Sequence, residues 1–220
     1  MKIGILGTGR LAAALGMTWT RAGHEVVIAG RSREKAEALA RELGSSARAS
    51  TPPDVAANSD AVLLAVAWSG VPDILHAASD ALNGIPLIDP TNAVEHGVGV
   101  LLTPPAISAA QRIAALAPGA HVVKALNLFP GEQWVTAQNT SRPIVPLCGD
   151  DPAALDVVAG LVRDIGAVPA VLGPLQRARQ LEEVAGFVIG LAFAGHDPNA
   201  AIPRVPAADE TEPATSVAAG

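Results

Sequence analysis

The residues most able to do chemistry stand near the start of the chain, where Gly7-Thr8-Gly9-Arg10-Leu11-Ala12 has the composition of a phosphate-binding turn. A first glycine permits a tight turn, a second lets the backbone approach a pyrophosphate, and a small third residue lets a helix pack closely on a strand. A helix beginning at Arg10 would aim its free first-turn N–H groups at the anion. Gly7, Thr8, Gly9, Arg10 and Leu11 are therefore expected to contact a dinucleotide. The hexapeptide carries weight only between a strand and a helix. Met1 to Leu6 reads as a short apolar strand, and Arg10 to Ala22 sets Leu11, Leu15 and Trp19 on one helical face.

A second group follows the next strand, His24 to Gly30. Enzymes that use NAD usually carry an acid there for the ribose 2′-hydroxyl. This chain has Ala29-Gly30-Arg31-Ser32-Arg33, then Lys35, with no carboxylate before Glu34. Arg31 and Arg33 suit charge-assisted bonds to a 2′-phosphate, and Ser32 can add another. Cations at a helix start oppose its dipole, so a bound anion explains them better than a solvated surface does. NADP(H) is the expected cofactor.

Ligands of open α/β sheets lie beyond the carboxyl ends of the strands. The apolar run Ala61 to Val66 ends in such a place, which makes Ala65, Val66 and Ala67 expected cofactor contacts. Trp68 follows, either as a wall for the nicotinamide or as surface packing. Asp89-Pro90-Thr91-Asn92 reads as a turn whose Thr91 and Asn92 can reach nicotinamide or ribose. Lys124 and Asn127 are polar residues in the apolar stretch Val122 to Pro130. Trp68, Lys124 and Asn127 are the catalytic candidates. Lys124 is read either as a proton donor or as a snorkelled side chain.

No Cys/His cluster offers a metal site, and the single Cys148 reads as a buried thiol. The chain has no tyrosine, which argues against the short-chain dehydrogenase mechanism. A sparse set of acids and bases suits hydride transfer, where the cofactor carries the difficult chemistry.

The elements that must hold these residues alternate. Helices are expected over 33–43, 71–82, 108–116, 152–165 and 175–193, and strands over 86–88, 121–125, 142–148 and 168–172. Pro143 and Pro146 place the strand over 142–148 at a sheet edge. The pattern implies a Rossmann-type α/β fold, a doubly wound parallel sheet, with a small helical C-terminal lobe. The expected division is a Rossmann domain over 1–150, a lobe over 151–197, and a disordered tail over 198–220 rich in Pro and Ala. The 220 residues are 50% hydrophobic and 16% charged, enough for a sizeable core. A formal charge of −6 gives no general attraction to nucleic acid. No apolar run is long enough to cross a membrane, and no signal peptide is legible, so a cytoplasmic protein is expected.

Taken together, Ile3 to Ala12, Gly30 to Glu37, Ala65 to Trp68, Asp89 to Asn92, Val122 to Pro130, Pro146 to Asp151, Leu172 to Leu175, Arg179 and Glu182 resemble the NADP oxidoreductases that work with the deazaflavin coenzyme F420, and the NADPH-binding domains of related ferric reductases. The resemblance extends over roughly residues 1 to 193. It implies a C-terminal lobe closing over a hydride-transfer cleft. It implies that Thr8, Arg10, Leu11, Arg31, Ser32 and Arg33 hold NADP and that Ala67, Trp68, Asn92 and Asn127 lie near the nicotinamide. It also implies a homodimer with the final helix at the interface. The expected acceptor is F420, with a small imine or enamine as the alternative and a non-catalytic NADP(H)-sensing role as a third reading. Arg142, Arg177 and Arg179 are candidates for a basic rim that would hold an anionic deazaflavin tail.

Overall fold

The computed structural model describes residues 1–135 and 142–203; the segment 136–141 and most of the expected tail, 204–220, lie outside the described residues. Eight strands form one sheet: β1 (Lys2–Leu6), β2 (Glu25–Ala29), β3 (Ala47–Ala49), β4 (Ala61–Leu64), β5 (Pro86–Asp89), β6 (His121–Lys124), β7 (Ile144–Gly149) and β8 (Val168–Gly173). Their order is β3-β2-β1-β4-β5-β6-β7-β8. The first six run parallel, whereas β7 is antiparallel to β6 and β8 follows β7 in parallel. The sequence order reverses direction between β1 and β4, which opens a crevice at the carboxyl ends of those strands.

Helices cover both faces because the central strands are apolar on both sides; all four residues of β4, Ala61–Leu64, are fully buried. One core joins the sheet to α1 (Arg10–Arg21), α2 (Arg33–Leu43), α6 (Gly131–Val135) and α7 (Pro152–Asp164). The opposite core is built with α3 (Pro52–Ala57), α4 (Val71–Ala78), α5 (Ala109–Leu116) and α8 (Ala178–Phe193). The sequence marks several helix starts in chemical terms. Ser32 Oγ accepts from the Lys35 N–H at 3.2 Å, Ser108 and Gln111 form a reciprocal capping box, and Asp151 Oδ1 accepts from the Ala154 N–H at 2.7 Å.

Three features depart from the sequence expectation. The strand around Pro146 is interior, between β6 and β8. It tolerates proline because β6 pairs only with Cys148 and Gly149, so Pro146 faces no β6 partner that needs its missing N–H. Strand β3 and helix α3 were not anticipated, being three and six residues long and too short to display a period. The residues of the expected tail that are described begin with a 3₁₀ turn, Pro198–Ala201, in which Asp197 Oδ1 accepts from the Asn199 N–H at 3.0 Å. The segment read as a lobe adds β8 to the common sheet and lays α7 and α8 on its two faces. Cys148 lies in β7 with no exposed surface, and burial pushes its thiol up to about 11, so it stays protonated at neutral pH.

Candidate functional site

The turn after β1 is built as its glycines require. Gly7 has φ +138°, and a Cβ there would lie 2.0 Å from the Ala65 carbonyl oxygen. Its N–H donates to the Ala29 carbonyl at 2.7 Å, while the Ala65 N–H donates to Leu6 at 2.8 Å. Strands β1, β2 and β4 are thus tied together at the point where the crevice opens. Gly9 caps α1 without a side-chain hydrogen bond, and a Cβ on it would meet no atom within 4 Å. The cap of α1 therefore faces open space at Gly9 with no side-chain acceptor, the condition for receiving an anion, while Gly131 packs against Leu11 on the other side of the first turn.

Beside this turn lies a cavity of about 230 Å³ lined by Gly7, Thr8, Gly9, Gly30, Arg31, Ser32, Lys35, by Ala65, Val66, Ala67, Ser69 and Gly70 after β4, and by Ile74. Arg31 and Ser32 thus lie at the cavity, and Lys35, which the sequence does not mark as a contact, joins them. Arg33, expected beside them, turns away: its Nε donates to Glu37 Oε1 at 2.8 Å across one helical turn. The (i, i+4) spacing of Arg33 and Glu37 was the signal that would have separated it from Arg31.

A second cleft of about 400 Å³ adjoins the other side of the α1 start. Leu11, Asn92, Leu126, Asn127, Phe129 and the face of α8 carrying Ala185, Val188, Ile189 and Ala192 line it. No ionisable side chain is among its lining residues. Arg10, expected at the phosphates, reaches instead toward Glu132 Oε1 at 3.4 Å with 91% of its side chain exposed. The floor of this cleft is polar at one point. Asn92 Nδ2 donates to the Asn127 carbonyl at 2.8 Å, and Asn127 Nδ2 donates to Asn92 Oδ1 at 3.0 Å and to the Leu181 carbonyl at 3.2 Å. Asn127 Oδ1 is buried and has no protein donor. A buried acceptor of this kind costs free energy until a ligand donor fills it. The preceding residue, Leu126, holds φ +64°, a conformation rare for a side-chain-bearing residue and frequent at functional sites.

The other two catalytic candidates lie elsewhere. Trp68 is half-buried at the start of a 3₁₀ turn, with the Arg112 guanidinium 5.6 Å from its ring centre, and lines neither cavity. Surface packing, the plainer of its two readings, describes this placement. Lys124 has no exposed surface, so it neither snorkels nor meets a substrate. Its Nζ lies 3.1 Å from Asp89 Oδ2 and 3.0 Å from Glu182 Oε1, and it also donates to the Thr91 carbonyl. Its three partners occupy the ammonium inside the protein, so it has no open path to a reacting atom. Glu182, on α8, also accepts from the first N–H groups of α5, Ala109 at 2.8 Å and Ala110 at 3.2 Å. Asp89 Oδ1 accepts from the N–H and hydroxyl of Thr91 at 2.8 and 2.7 Å. Two of the three candidate rim residues are engaged away from the apolar cleft, and the third, Arg142, is an exposed residue just before β7 that does not line it. Arg179 donates to the carbonyls of Pro104 and Ile107 and pairs with Glu183, while Arg177 donates to Leu172 and Gln180.

The model of the family described as "NADP oxidoreductase coenzyme F420-dependent" matches residues 2–93. An F420-dependent NADP reductase of Methanothermobacter thermautotrophicus is 30% identical, over 92% of this chain and 94% of that protein. The chain belongs to the F420-dependent NADP oxidoreductase family. A solved structure from Arthrobacter sp. FB24, assigned to an F420-dependent NADP-reductase, superposes with a TM-score of 0.78 at 26% identity, covering 90% of this chain and 96% of that one. The metalloreductase STEAP3 of Rattus norvegicus is 27% identical over 83% of this chain, which spans only 36% of that protein's length. Membership makes the chain one of the NADP-dependent oxidoreductases and agrees with the mostly parallel sheet, the glycine turn and the basic end of β2. Among the described residues, no helix is long and apolar enough to cross a membrane.

Proposed function

We propose that the protein transfers hydride between NADP(H) and coenzyme F420. The observation that carries this reading is the meeting of two unlike cavities at the uncapped start of α1. One is lined by Arg31, Ser32 and Lys35, and the other is apolar with a single polar point at Asn92 and Asn127. That asymmetry suits a dinucleotide lying across the helix start. Its 2′-phosphate would meet Arg31, Ser32 and Lys35, its pyrophosphate the N–H groups after Gly9, and its nicotinamide the Asn pair. The reduced nicotinamide supplies the hydride. The chain's own contribution is to bind at the basic end, to orient through Asn92 and the free Asn127 Oδ1, and to exclude water with Leu11, Leu126, Phe129 and α8.

A second reading is favoured by the uncharged lining of the apolar cleft, which suits a small imine or enamine better than an anionic tail. The test is NADPH oxidation by the purified protein, followed by the loss of reduced-nicotinamide absorbance, with F420 and separately with a cyclic imine. Turnover with F420 is the expected result. Turnover with the imine alone moves the acceptor to the second reading. Tight NADPH binding with neither acceptor reduced points to a sensing role.

We further propose a homodimer built on α8. Val184 and Phe187 are 40% and 49% exposed on this helix, and Val98 and Val100, on the loop packed against it through Gly99 and Gly186, are 52% and 57% exposed. Such neighbouring apolar side chains suit a protein interface. Light scattering is expected to give twice the chain mass, and Phe187→Glu is expected to return it to the single-chain value. A monomer for the parent protein would remove the proposal.

A further inference from the structure

We infer that Lys124 and Glu182 are positioning residues, forming with Asp89 a buried ionic clasp that sets the hydride-transfer geometry of the apolar cleft. The inference rests on the proposed NADP(H) reading of that cleft. All three side chains are without exposed surface. They come from three separated places, the ends of β5 and β6 and the first half of α8, and the carboxylate of Glu182 adds the start of α5.

Each bond of the clasp fixes one part of the cleft. Lys124 donates to the Thr91 carbonyl, and Asp89 takes both the N–H and the hydroxyl of Thr91, so the turn that presents Asn92 is held from three directions. Glu182 lies next to Leu181, whose carbonyl receives the Asn127 amide at 3.2 Å. Holding Glu182 therefore fixes the rotation and height of α8 at the residue that orients Asn127, and also fixes the cleft face from Ala185 to Ala192. The clasp carries two negative charges and one positive. The N–H groups of Ala109 and Ala110, at the positive end of the eight-residue helix α5, compensate the excess. Ion pairs buried to this degree add little net stability compared with apolar residues of the same size, and their strict geometry serves to hold one arrangement. Here that arrangement is the Asn92–Asn127 pair against α8.

The test compares the parent protein with Glu182→Gln and with the triple variant Asp89→Asn, Lys124→Met, Glu182→Gln. The triple variant removes every charge of the clasp together while keeping one side-chain oxygen for Thr91 and one for the two α5 N–H groups. Its melting temperature is expected to fall by several degrees, because one α5 N–H and the Thr91 carbonyl lose a partner, while its NADPH affinity, which depends chiefly on the Arg31 end, is expected to stay within about threefold of the parent's. Its kcat is expected to fall by about tenfold to a hundredfold, the usual cost of displacing a reacting group by about an ångström. The rise in fluorescence of NADPH on binding, which reads nicotinamide immobilisation without any turnover, is expected to shrink in parallel. Glu182→Gln alone is expected to give the same split and serves if the triple variant does not fold. A folded variant with kcat and bound-NADPH fluorescence unchanged overturns the inference. So does a variant whose kcat, NADPH affinity and melting temperature fall together, the signature of a merely structural role. Failure of the parent protein to bind NADPH or to reduce an acceptor is a failure of the proposed function instead. In the absence of turnover the fluorescence arm still decides the clasp.

Discussion

Gly7→Ala abolishes measurable NADPH binding and lowers the melting temperature by roughly 5 to 20 °C; this is the largest effect expected of any single methyl group added to the chain. The new Cβ would sit 2.0 Å from the Ala65 carbonyl oxygen and 2.5 Å from its carbon, and both are backbone atoms that cannot rotate aside. The φ of +138° is one that side-chain-bearing residues almost never hold, which adds about 1–3 kcal/mol of strain to an overpacking cost of about 1–3 kcal/mol. For a protein of this size each kcal/mol shifts the midpoint by about 2–4 °C. The damage falls where β1, β2 and β4 are joined by the Gly7–Ala29 and Leu6–Ala65 hydrogen bonds, so the crevice itself must open or close. Circular dichroism melting and a fluorescence titration with NADPH measure the two effects. A variant that melts and binds like the parent protein would falsify the assigned turn geometry. Gly9→Ala is the internal control. Its Cβ meets nothing within 4 Å, so the fold should survive while phosphate approach is impaired.

Arg31→Ala weakens NADPH binding by about ten- to a hundredfold, the value of a charge-assisted hydrogen bond worth about 1.5–3 kcal/mol, and leaves NADH binding nearly unchanged. Arg31 lines the cavity at the end of β2, and nothing on the apolar side of the site depends on it. Arg33→Ala changes either affinity by less than about threefold, because that side chain is committed to Glu37 in an exposed pair worth only about 0.3–0.5 kcal/mol. Lys35→Ala is expected to resemble Arg31→Ala in direction. Paired titrations with NADPH and NADH on the three variants separate these cases. Equal losses for both cofactors at Arg31 would mean that its charge acts on the pyrophosphate. A large loss at Arg33 would mean that the Arg33–Glu37 pair opens when the cofactor binds.

Most of the framework was legible from residues alone, and the reason is local. A glycine turn between an apolar strand and an amphipathic helix reports on a few consecutive residues, and so does the cap Ser32. Helix α2 begins and ends as its sequence implies, because its cap at Ser32 and its stop at Gly44 are backbone chemistry with no distant partner. The basic end of β2 was readable for the same reason, since a missing carboxylate and an added arginine are properties of one short segment. The interior place of β7 was not. Proline argues for an edge, and only the short reach of β6 along β7 shows why Pro146 is tolerated inside the sheet.

What depended on tertiary structure was the meaning of single polar residues. Lys124 in an apolar strand has the same appearance in sequence whether it donates a proton, snorkels or bridges anions. Its role follows from Asp89 and Glu182, 35 and 58 positions away along the chain, arriving within 3.1 Å of its ammonium. Trp68 was similarly undetermined until its neighbour Arg112 was in place. Backbone turns and helix caps are short-range interactions and leave short-range signatures. The ionisation, burial and aim of a side chain are set by groups that only folding brings together.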